Sequence, residues 1–336
     1  MPALDPDVEA LLELGRKAGA RPFEQLTPDQ ARAAYAASWD LLQPTAQDVG
    51  SVHDHTIAGQ GGPLRLRVYR AIGTVAGELL PCMVFLHGGG WVIGNLESHD
   101  RFCRRLANQA RICVVAVDYR LAPEHRFPAA LDDSASALQW VSDNLQALAI
   151  APGRLAIGGD SAGGNLAAVL ALMGRDGTAP RTMFQLLIYP VVDLTAGSDS
   201  YRGVTSGFPL TAATMHYFIT HYTPQAGDRL DWRASPLKAA SLAGTPPAMV
   251  VTVANDPLCD EGRAYARRLE DEGVRVTALH LSDHQHGMLM HGKLVRMSNV
   301  INDFVAAAVG DALHRGRATH DTADGVAGPS PTAYAP

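Results

Sequence analysis

The feature that most constrains this chain is a glycine-rich turn around one serine, GGDSAGG at 158–164. A short apolar run at 154–157 predicts a strand before the turn, and an Ala- and Leu-rich run predicts a helix after it. A serine on so sharp a strand-to-helix turn requires glycines two residues before and after it, because a Cβ there would clash. Gly159 and Gly163 stand at those positions. The turn therefore predicts that Ser161 lies clear of the sheet at a helix N-terminus, where a nucleophile is favoured.

The motif by itself leaves a second interpretation open. By composition, G-x-S-x-G arises by chance about 0.1 times in a chain of this kind. A plain strand-to-helix turn with glycine as a hinge and serine as the N-cap also fits. The other groups of a catalytic site have to decide between the two interpretations.

Length and charge exclude several classes of protein. The chain has 336 residues, enough for one large α/β domain with insertions or for two ordinary domains. Its net charge is −6, and no block of basic residues is present, so a nucleic acid is not expected as a partner.

The sequence also predicts a cellular location. The four cysteines are scattered in mostly apolar surroundings, which favours buried free thiols and a reducing compartment. The first residues do not resemble a signal peptide, and no apolar run approaches the ~18 residues of a membrane span. We therefore expect a cytoplasmic protein without stable membrane association.

Short apolar runs alternate with helix-sized segments along the chain. This alternation predicts an α/β fold with a mostly parallel central sheet and helices on both faces. The predicted strands are 82–87, 112–119, 154–159, 184–192, 248–256 and 274–281, after a hairpin at 53–59 and 63–70. The predicted helices between them include 98–110, 128–148 and 261–273.

Two further regions predict a helical cap over the strand ends. The N-terminal part contains amphipathic helices at 5–18 and 27–41, with Thr27 as a cap and Pro28 in the first turn. About 40 residues between Asp193 and Ser235 contain a helical stretch but no clear strand, as expected of a functional insertion.

The domain organisation follows from these regions. Cap helices are predicted at 1–45 and a cap insertion at 194–235. The catalytic domain is predicted at 46–193 and 236–315, and a flexible tail without function at 316–336.

A serine nucleophile needs a histidine base and an acid that orients the histidine. In chains whose serine lies on a turn of this kind, the acid and then the histidine follow the serine in the sequence. Asp256 ends a strong predicted strand, and Pro257 keeps it out of helical geometry. His286 lies just beyond the predicted strand 274–281 and is our candidate base. The other candidates are His216, His221, His280, His284, His291, His314 and His320.

A metal site is the alternative for the histidine cluster. Asp283, His284 and His286 lie close together, but their spacing is not that of a metalloprotease and no second ligand set is evident. No metal is therefore expected.

An oxyanion hole completes the predicted site. The strand at 82–87 runs into three consecutive glycines in HGGGW, a sequence expected by chance about 0.01 times. We predict that the N–H groups of Gly88, Gly89 and Ala162 bind a tetrahedral intermediate, the alternative being a tight glycine turn.

Several blocks of the chain together resemble the bacterial hormone-sensitive-lipase-like esterases, family IV of the α/β-hydrolases. The blocks occur in the family's order and cover nearly the whole chain. They are HGGGW at 87–91, DYRLAPEHRFPAALDD at 118–133, GGDSAGGNLA at 158–167, DWRASPL at 231–237 and DPLCDEG at 256–262.

The resemblance implies an activity and the residues that carry it. It implies a carboxylesterase that cleaves short to medium acyl esters through an acyl-enzyme, without a cofactor. It assigns Ser161 as nucleophile, His286 as base and Asp256 as its partner, with the oxyanion donors Gly88, Gly89 and Ala162.

The chain departs from the family pattern at three positions, Cys259, Met288 and Trp232. Met288 follows His286-Gly287 where the family usually has Phe, so we expect it to alter the pocket wall.

Other activities remain open at this stage. The same site could cleave lactones, carbamates or amides. A non-catalytic small-molecule receptor is a further alternative, because the plant gibberellin receptor resembles this family but has lost the catalytic histidine. We expect a small-molecule ester as substrate and a monomer or homodimer.

Overall fold

Eight strands form one sheet in the computed structural model, which describes residues 3–315. The strands are β1 (Ser51–Gly59), β2 (Gly62–Arg70), β3 (Leu80–Leu86), β4 (Cys113–Asp118), β5 (Ile150–Asp160), β6 (Gln185–Ile188), β7 (Ala248–Asn255) and β8 (Val276–Gln285). Their order across the sheet is β1-β2-β4-β3-β5-β6-β7-β8. The hairpin of β1 and β2 is antiparallel, β2 pairs antiparallel with β4, and the remaining pairs are parallel. The predicted mostly parallel sheet is confirmed.

Helices cover both faces of this sheet. They are α1 (Pro6–Lys17), α2 (Pro28–Leu42), α3 (Leu96–Ala110), α4 (Ala129–Asp143), α5 (Ala162–Arg175), α6 (Asp199–Gly203), α7 (Ala212–Tyr222), α8 (Cys259–Asp271) and α9 (Arg296–Arg315). None of the helices within residues 3–315 combines the length and the apolar character needed to cross a bilayer.

Alternate side chains of the buried strands build two apolar layers. In β3, Cys82, Val84 and Leu86 pack in the layer that also contains α4, α5 and α8. Met83 and Phe85 pack in the opposite layer with α3 and α9. Because successive residues of a strand point to opposite faces, a continuous apolar run is required where both faces are covered.

Three predicted strands differ clearly from the structure in extent. β5 begins at Ile150, four residues before its predicted start at 154. The run 184–192 contributes only β6, because the chain turns out of the sheet at Tyr189 with φ 34° and Pro190 has no N–H for a ladder bond. β8 continues to Gln285, so Asp283 and His284 lie in the strand rather than in the predicted loop. His286 therefore follows the strand directly.

The N-terminal segment and the 194–235 segment meet above the sheet. α2 begins as predicted, since Thr27 Oγ1 accepts the Gln30 N–H at 3.3 Å and Pro28 stands in the first turn. Between the two segments, the Phe23 and Phe218 ring centroids are 5.9 Å apart. The backbone between 193 and 235 forms helices and turns without a strand, as predicted. The predicted flexible tail at 316–336 lies outside the described residues.

Candidate active site

Ser161 lies at the turn between β5 and α5 in a conformation that few non-glycine residues adopt, with φ 54° and ψ −118°. A Cβ at Gly159 would lie 2.4 Å from the Gly163 carbonyl carbon, and a Cβ at Gly163 would lie 1.9 Å from the Leu86 oxygen. Neither position can hold a larger residue without displacing backbone. The steric argument from the sequence is therefore met at both glycines.

The structure brings Ser161, His286 and Asp256 into one hydrogen-bonded line. His286 Nε2 lies 2.9 Å from Ser161 Oγ, and His286 Nδ1 lies 2.7 Å from Asp256 Oδ2. Asp256 is fully buried, and Ser161 is 6% exposed. The Tyr189 ring packs against the imidazole with 4.3 Å between centroids. Three side chains far apart in the sequence thus converge at the carboxyl ends of β5, β7 and β8.

The Asp256 carboxylate is held in place by its own turn. Asp256 follows the last residue of β7, and its Oδ1 accepts the Leu258 N–H at 2.9 Å. The nearby acids Asp260 and Glu261 lie in the first turn of α8, as predicted. Asp260 accepts the Ser200 N–H, while Glu261 is buried and accepts the Val192 N–H at 2.8 Å.

The other candidate histidines of the cluster do not contact Ser161. His280 Nδ1 pairs with Thr252 at 2.9 Å, and His284 Nδ1 pairs with Asp283 at 2.7 Å. His291 lies in the cavity wall. Across residues 3–315, no group of three or more His, Cys, Asp or Glu side chains is arranged to hold a metal ion.

The three predicted oxyanion donors differ in their surroundings. The Gly88 N–H donates to Asp160 Oδ1 at 2.8 Å, so this donor is already engaged. Gly89 and Gly90 line the cavity beside Ser161 and have φ values of 119° and 57°. The sequence analysis did not include Gly90, although it belongs to the same run of glycines. Ala162 is the first residue of α5, where an N–H has no partner within the helix.

Asp160 and His99 form a buried pair that the sequence did not predict. Asp160 Oδ1 lies 3.0 Å from His99 Nε2, and His99 Nδ1 lies 2.8 Å from Ser98 Oγ. Burial raises the pKa of Asp160, but the hydrogen bond and charge of His99, together with the charges of His286 and His87, lower it below its ordinary value. The available signal was a carboxylate within an otherwise small and apolar turn. Its partner, on α3, could not be identified from local sequence.

A cavity of about 120 Å³ opens above Ser161. Most of its wall is apolar and comes from the two segments that meet above the sheet and from the loop after His286. The side chains that form this wall include Phe23, Tyr35, Leu210, Met215, Phe218 and Met290.

The expectation for Met288 is wrong. Met288 is 1% exposed and packs in the layer of α9, away from the cavity, whereas Met290 lies in the cavity wall. The chain forms a tight turn of 3-10 helix at Met288–Met290, which sends neighbouring side chains in different directions. Cys259 is buried at the start of α8, and Trp232 packs against the core.

Fold and site together define the class of protein. A serine on a strained strand-to-helix turn, a histidine and an aspartate in line with it, and a glycine loop beside it form the arrangement that is typical of the α/β hydrolases.

Comparisons with known proteins lead to the same class. A family model described as "alpha/beta hydrolase fold" matches residues 83–290. An ethyl acetate hydrolase of Pseudomonas putida is 38% identical over 87% of this chain and 94% of its own length. The carboxylic ester hydrolase LipN of Mycobacterium tuberculosis is 39% identical over 85% of this chain and 77% of its own length.

Solved structures of esterases also match. A hyperthermophilic esterase of the archaeon Pyrobaculum calidifontis superposes with a TM-score of 0.85 at 39% identity, covering 92% of this chain and 99% of its own. A thermostable esterase of Pseudomonas putida superposes with a TM-score of 0.89 at 34% identity, covering 93% and 98% of the two chains. The chain belongs to the α/β-hydrolase family and, within it, to the carboxylic ester hydrolases.

Proposed function

We propose that this ester hydrolase acts through an acyl-enzyme formed on Ser161. His286 Nε2 removes the hydroxyl proton as Ser161 Oγ attacks the ester carbonyl, and then donates that proton to the departing alcohol. Asp256 holds the imidazole with Nδ1–H directed to its carboxylate and stabilises the cation that forms. The observation that carries the proposal is the line of contacts at 2.9 Å and 2.7 Å.

The same groups complete the second half of the reaction. A water molecule takes the place of the alcohol, His286 removes its proton, and the new hydroxyl attacks the acyl carbonyl. The tetrahedral intermediate then expels Ser161 Oγ, which recovers its proton from His286. In each of these proposed steps the proton is transferred to or from His286, and no step requires a cofactor.

Backbone N–H groups beside Ser161 stabilise the negative charge that develops on the carbonyl oxygen. We assign this role to Gly89 and Ala162, which the sequence predicted, and to Gly90, which lines the cavity. Gly88 plays a different part. Its N–H donates to Asp160, so it fixes the glycine loop against the nucleophile turn.

The cavity supports esters with short to medium acyl chains as substrates. Its volume of about 120 Å³ and its largely apolar wall suit a short to medium acyl or alkyl group. The name of the Pseudomonas putida relative, an ethyl acetate hydrolase, is consistent with substrates of that size.

We further propose that residues 1–45 and 194–235 act as the cap of a catalytic domain at 46–193 and 236–315. The contact of Phe23 with Phe218 and the hydrogen bond from Thr214 Oγ1 to Glu24 at 2.7 Å support this division. The expectations of a cytoplasmic location and of a monomer or homodimer stand as proposals. The four buried unpaired cysteines agree with a reducing compartment.

The test is the Ser161→Ala substitution, assayed on p-nitrophenyl butyrate. Loss of the nucleophile should lower kcat by at least about 10³-fold while the protein stays folded. Ser134→Ala is the matched control, because Ser134 is also buried and, among residues 3–315, its hydroxyl bonds only to the Ala130 carbonyl of its own helix. Turnover of the Ser161 variant near the wild-type rate would refute the proposal.

A further inference from the structure

One end of the cavity carries polar groups that the proposed mechanism does not use. Trp39, Gln43 and His291 all line the cavity with Ser161. Trp39 and Gln43 are one helical turn apart, and the Gln43 N–H donates to the Trp39 carbonyl at 2.9 Å. The Lys293 N–H donates to the Leu42 carbonyl at 3.0 Å, which joins this end of α2 to the segment that carries His291.

One hydrogen bond fixes the orientation of the Gln43 amide, whose oxygen has no donor among the described residues. Its Nε2 donates to the Ser98 carbonyl at 2.9 Å, and this bond determines which end of the amide is the oxygen. Gln43 is 4% exposed, and its Oε1 has no donor among residues 3–315. An acceptor buried without a donor is unfavourable, so a bound group that supplies an N–H or O–H is stabilised there.

Trp39 has a donor that lacks an acceptor within residues 3–315. Its indole Nε1–H is buried and has no acceptor in the described part of the chain. The ring is held edge-on against Tyr35, with centroids 6.1 Å apart. A ligand oxygen within reach of this N–H gains the missing bond.

His291 adds a ring that can donate at one nitrogen and accept at the other. It is 9% exposed and lies in the cavity wall with Ser161. A Cβ at Gly287 would lie 3.5 Å from His291 Cε1, so the imidazole sits next to the residue that follows His286. Burial, and secondarily the charge of His286, lower the pKa of His291 to about 4, so the ring is neutral at neutral pH.

We propose that Trp39, Gln43 and His291 form a polar subsite that binds an uncharged hydroxyl group of the ester substrate. A hydroxyl donates to Gln43 Oε1 and accepts from Trp39 Nε1, and His291 takes either role. A charged group does not fit, because all three side chains are neutral and an ion would lose its hydration without a counter-charge. This inference rests on the proposed function and names the class of substrate, hydroxyl-bearing esters.

The hydroxyl could belong to the acyl part or to the alcohol part of the ester. Two pairs of substrates distinguish these sources, each pair differing only by a hydroxyl in place of a methyl group. Ethyl 6-hydroxyhexanoate against ethyl heptanoate tests the acyl part. The ester 3-hydroxypropyl butyrate against butyl butyrate tests the alcohol part.

The experiment compares kcat/KM within each pair for wild type, His291→Leu, Gln43→Met and Trp39→Phe. In one pair, each variant should lower the hydroxyl-to-methyl ratio of kcat/KM about fivefold to tenfold, the effect of one lost hydrogen bond. Three separate variants keep the test valid if one of them does not fold. Met290→Leu is the matched control, because it changes the same cavity without removing a polar group and should affect both members of a pair equally.

The outcomes separate this inference from the proposed function. If wild type cleaves the methyl substrates and no variant changes either ratio, the subsite is refuted and the ester hydrolase mechanism stands. If wild type cleaves none of the four esters, both proposals fall.

Discussion

The residues around Ser161 have two kinds of proposed role: some take part in the reaction, and others hold the reacting groups in position. Ser161, His286 and Asp256 form the proposed catalytic triad, whereas Asp160 contacts the glycine loop and His99. Asp160 Oδ1 accepts the Gly88 N–H at 2.8 Å and lies 3.0 Å from His99 Nε2. Because Asp160 precedes Ser161 and Gly88 opens the glycine loop, this carboxylate joins the proposed nucleophile to the proposed oxyanion hole.

Asp160→Asn tests this positioning role. The change keeps the side-chain shape but removes the charge facing His99, so the glycine loop should be held less firmly against Ser161. We expect kcat on p-nitrophenyl butyrate to fall about tenfold to a hundredfold, the effect of one charged hydrogen bond, with little change in KM. A loss of thermal stability with an unchanged kcat would show that Asp160 is only structural.

The same residue should influence stability in acid. The pKa of Asp160 is lowered from its ordinary value of 3.8 in the folded state, so its contribution to the free energy of unfolding is complete above that value and is lost as the pH falls further. Denaturant titrations between pH 5 and 3 should show a smaller acid-dependent loss for Asp160→Asn than for wild type. Equal losses would contradict the assignment.

At the scale of elements, one side chain ties α2 to two loops of the catalytic domain. Arg32 Nε donates to the Val92 carbonyl and Nη2 to the Ala122 carbonyl, both at 2.9 Å. Arg32 also pairs with Glu124 at 2.6 Å. Val92 follows the glycine loop, so Arg32 connects the proposed cap with the loop that lines the active site.

Arg32→Ala should therefore loosen the cap. We expect KM for p-nitrophenyl butyrate to rise several-fold and trypsin to cleave the 1–45 segment faster, because two carbonyl bonds worth about 1 kcal/mol each are lost. Arg16→Ala is the control, since Arg16 pairs only with Glu13 of its own helix. An unchanged KM and an unchanged cleavage rate would contradict the claim that Arg32 holds the cap against the catalytic domain.

The pair also predicts how the cap responds to pH. The hydrogen bond from Arg32 to the Glu124 carboxylate lowers the pKa of Glu124 from 4.5 to about 2. The Glu124 contribution is thus complete above pH 4.5 and is lost as the pH falls towards about 2. Cleavage of the 1–45 segment by pepsin should accelerate across that interval in wild type more than in Glu124→Gln.

At the scale of the whole molecule, the sequence predicted the sheet and the convergence of Ser161, His286 and Asp256 because both depend on simple rules. Apolar runs on both faces indicate parallel strands, and the carboxyl ends of such strands meet at one edge, where Ser161, Asp256 and His286 were expected. Contacts between distant elements were not predictable in this way. His99 reaches Asp160 from α3, and no local pattern pairs the two residues.

Other differences have local physical causes. Pro190 ends β6 early, and the 3-10 turn after Gly287 buries Met288 and places Met290 in the cavity. Helix α9 was not predicted, although its large apolar buried residues recur every four positions and the signal was present in the sequence. These residues are Ile301, Val305, Val309 and Leu313.

The central claim is that Ser161 is a nucleophile activated by His286 across the assembled sheet edge. The most direct measurement is covalent labelling with a p-nitrophenyl alkylphosphonate, followed by peptide mass spectrometry. We predict one phosphonyl group per chain, located on Ser161, with p-nitrophenol released in equal amount and a rate at least about 10²-fold lower in His286→Ala. Labelling at another residue, or labelling of Ser161 at an unchanged rate in that variant, would contradict the account.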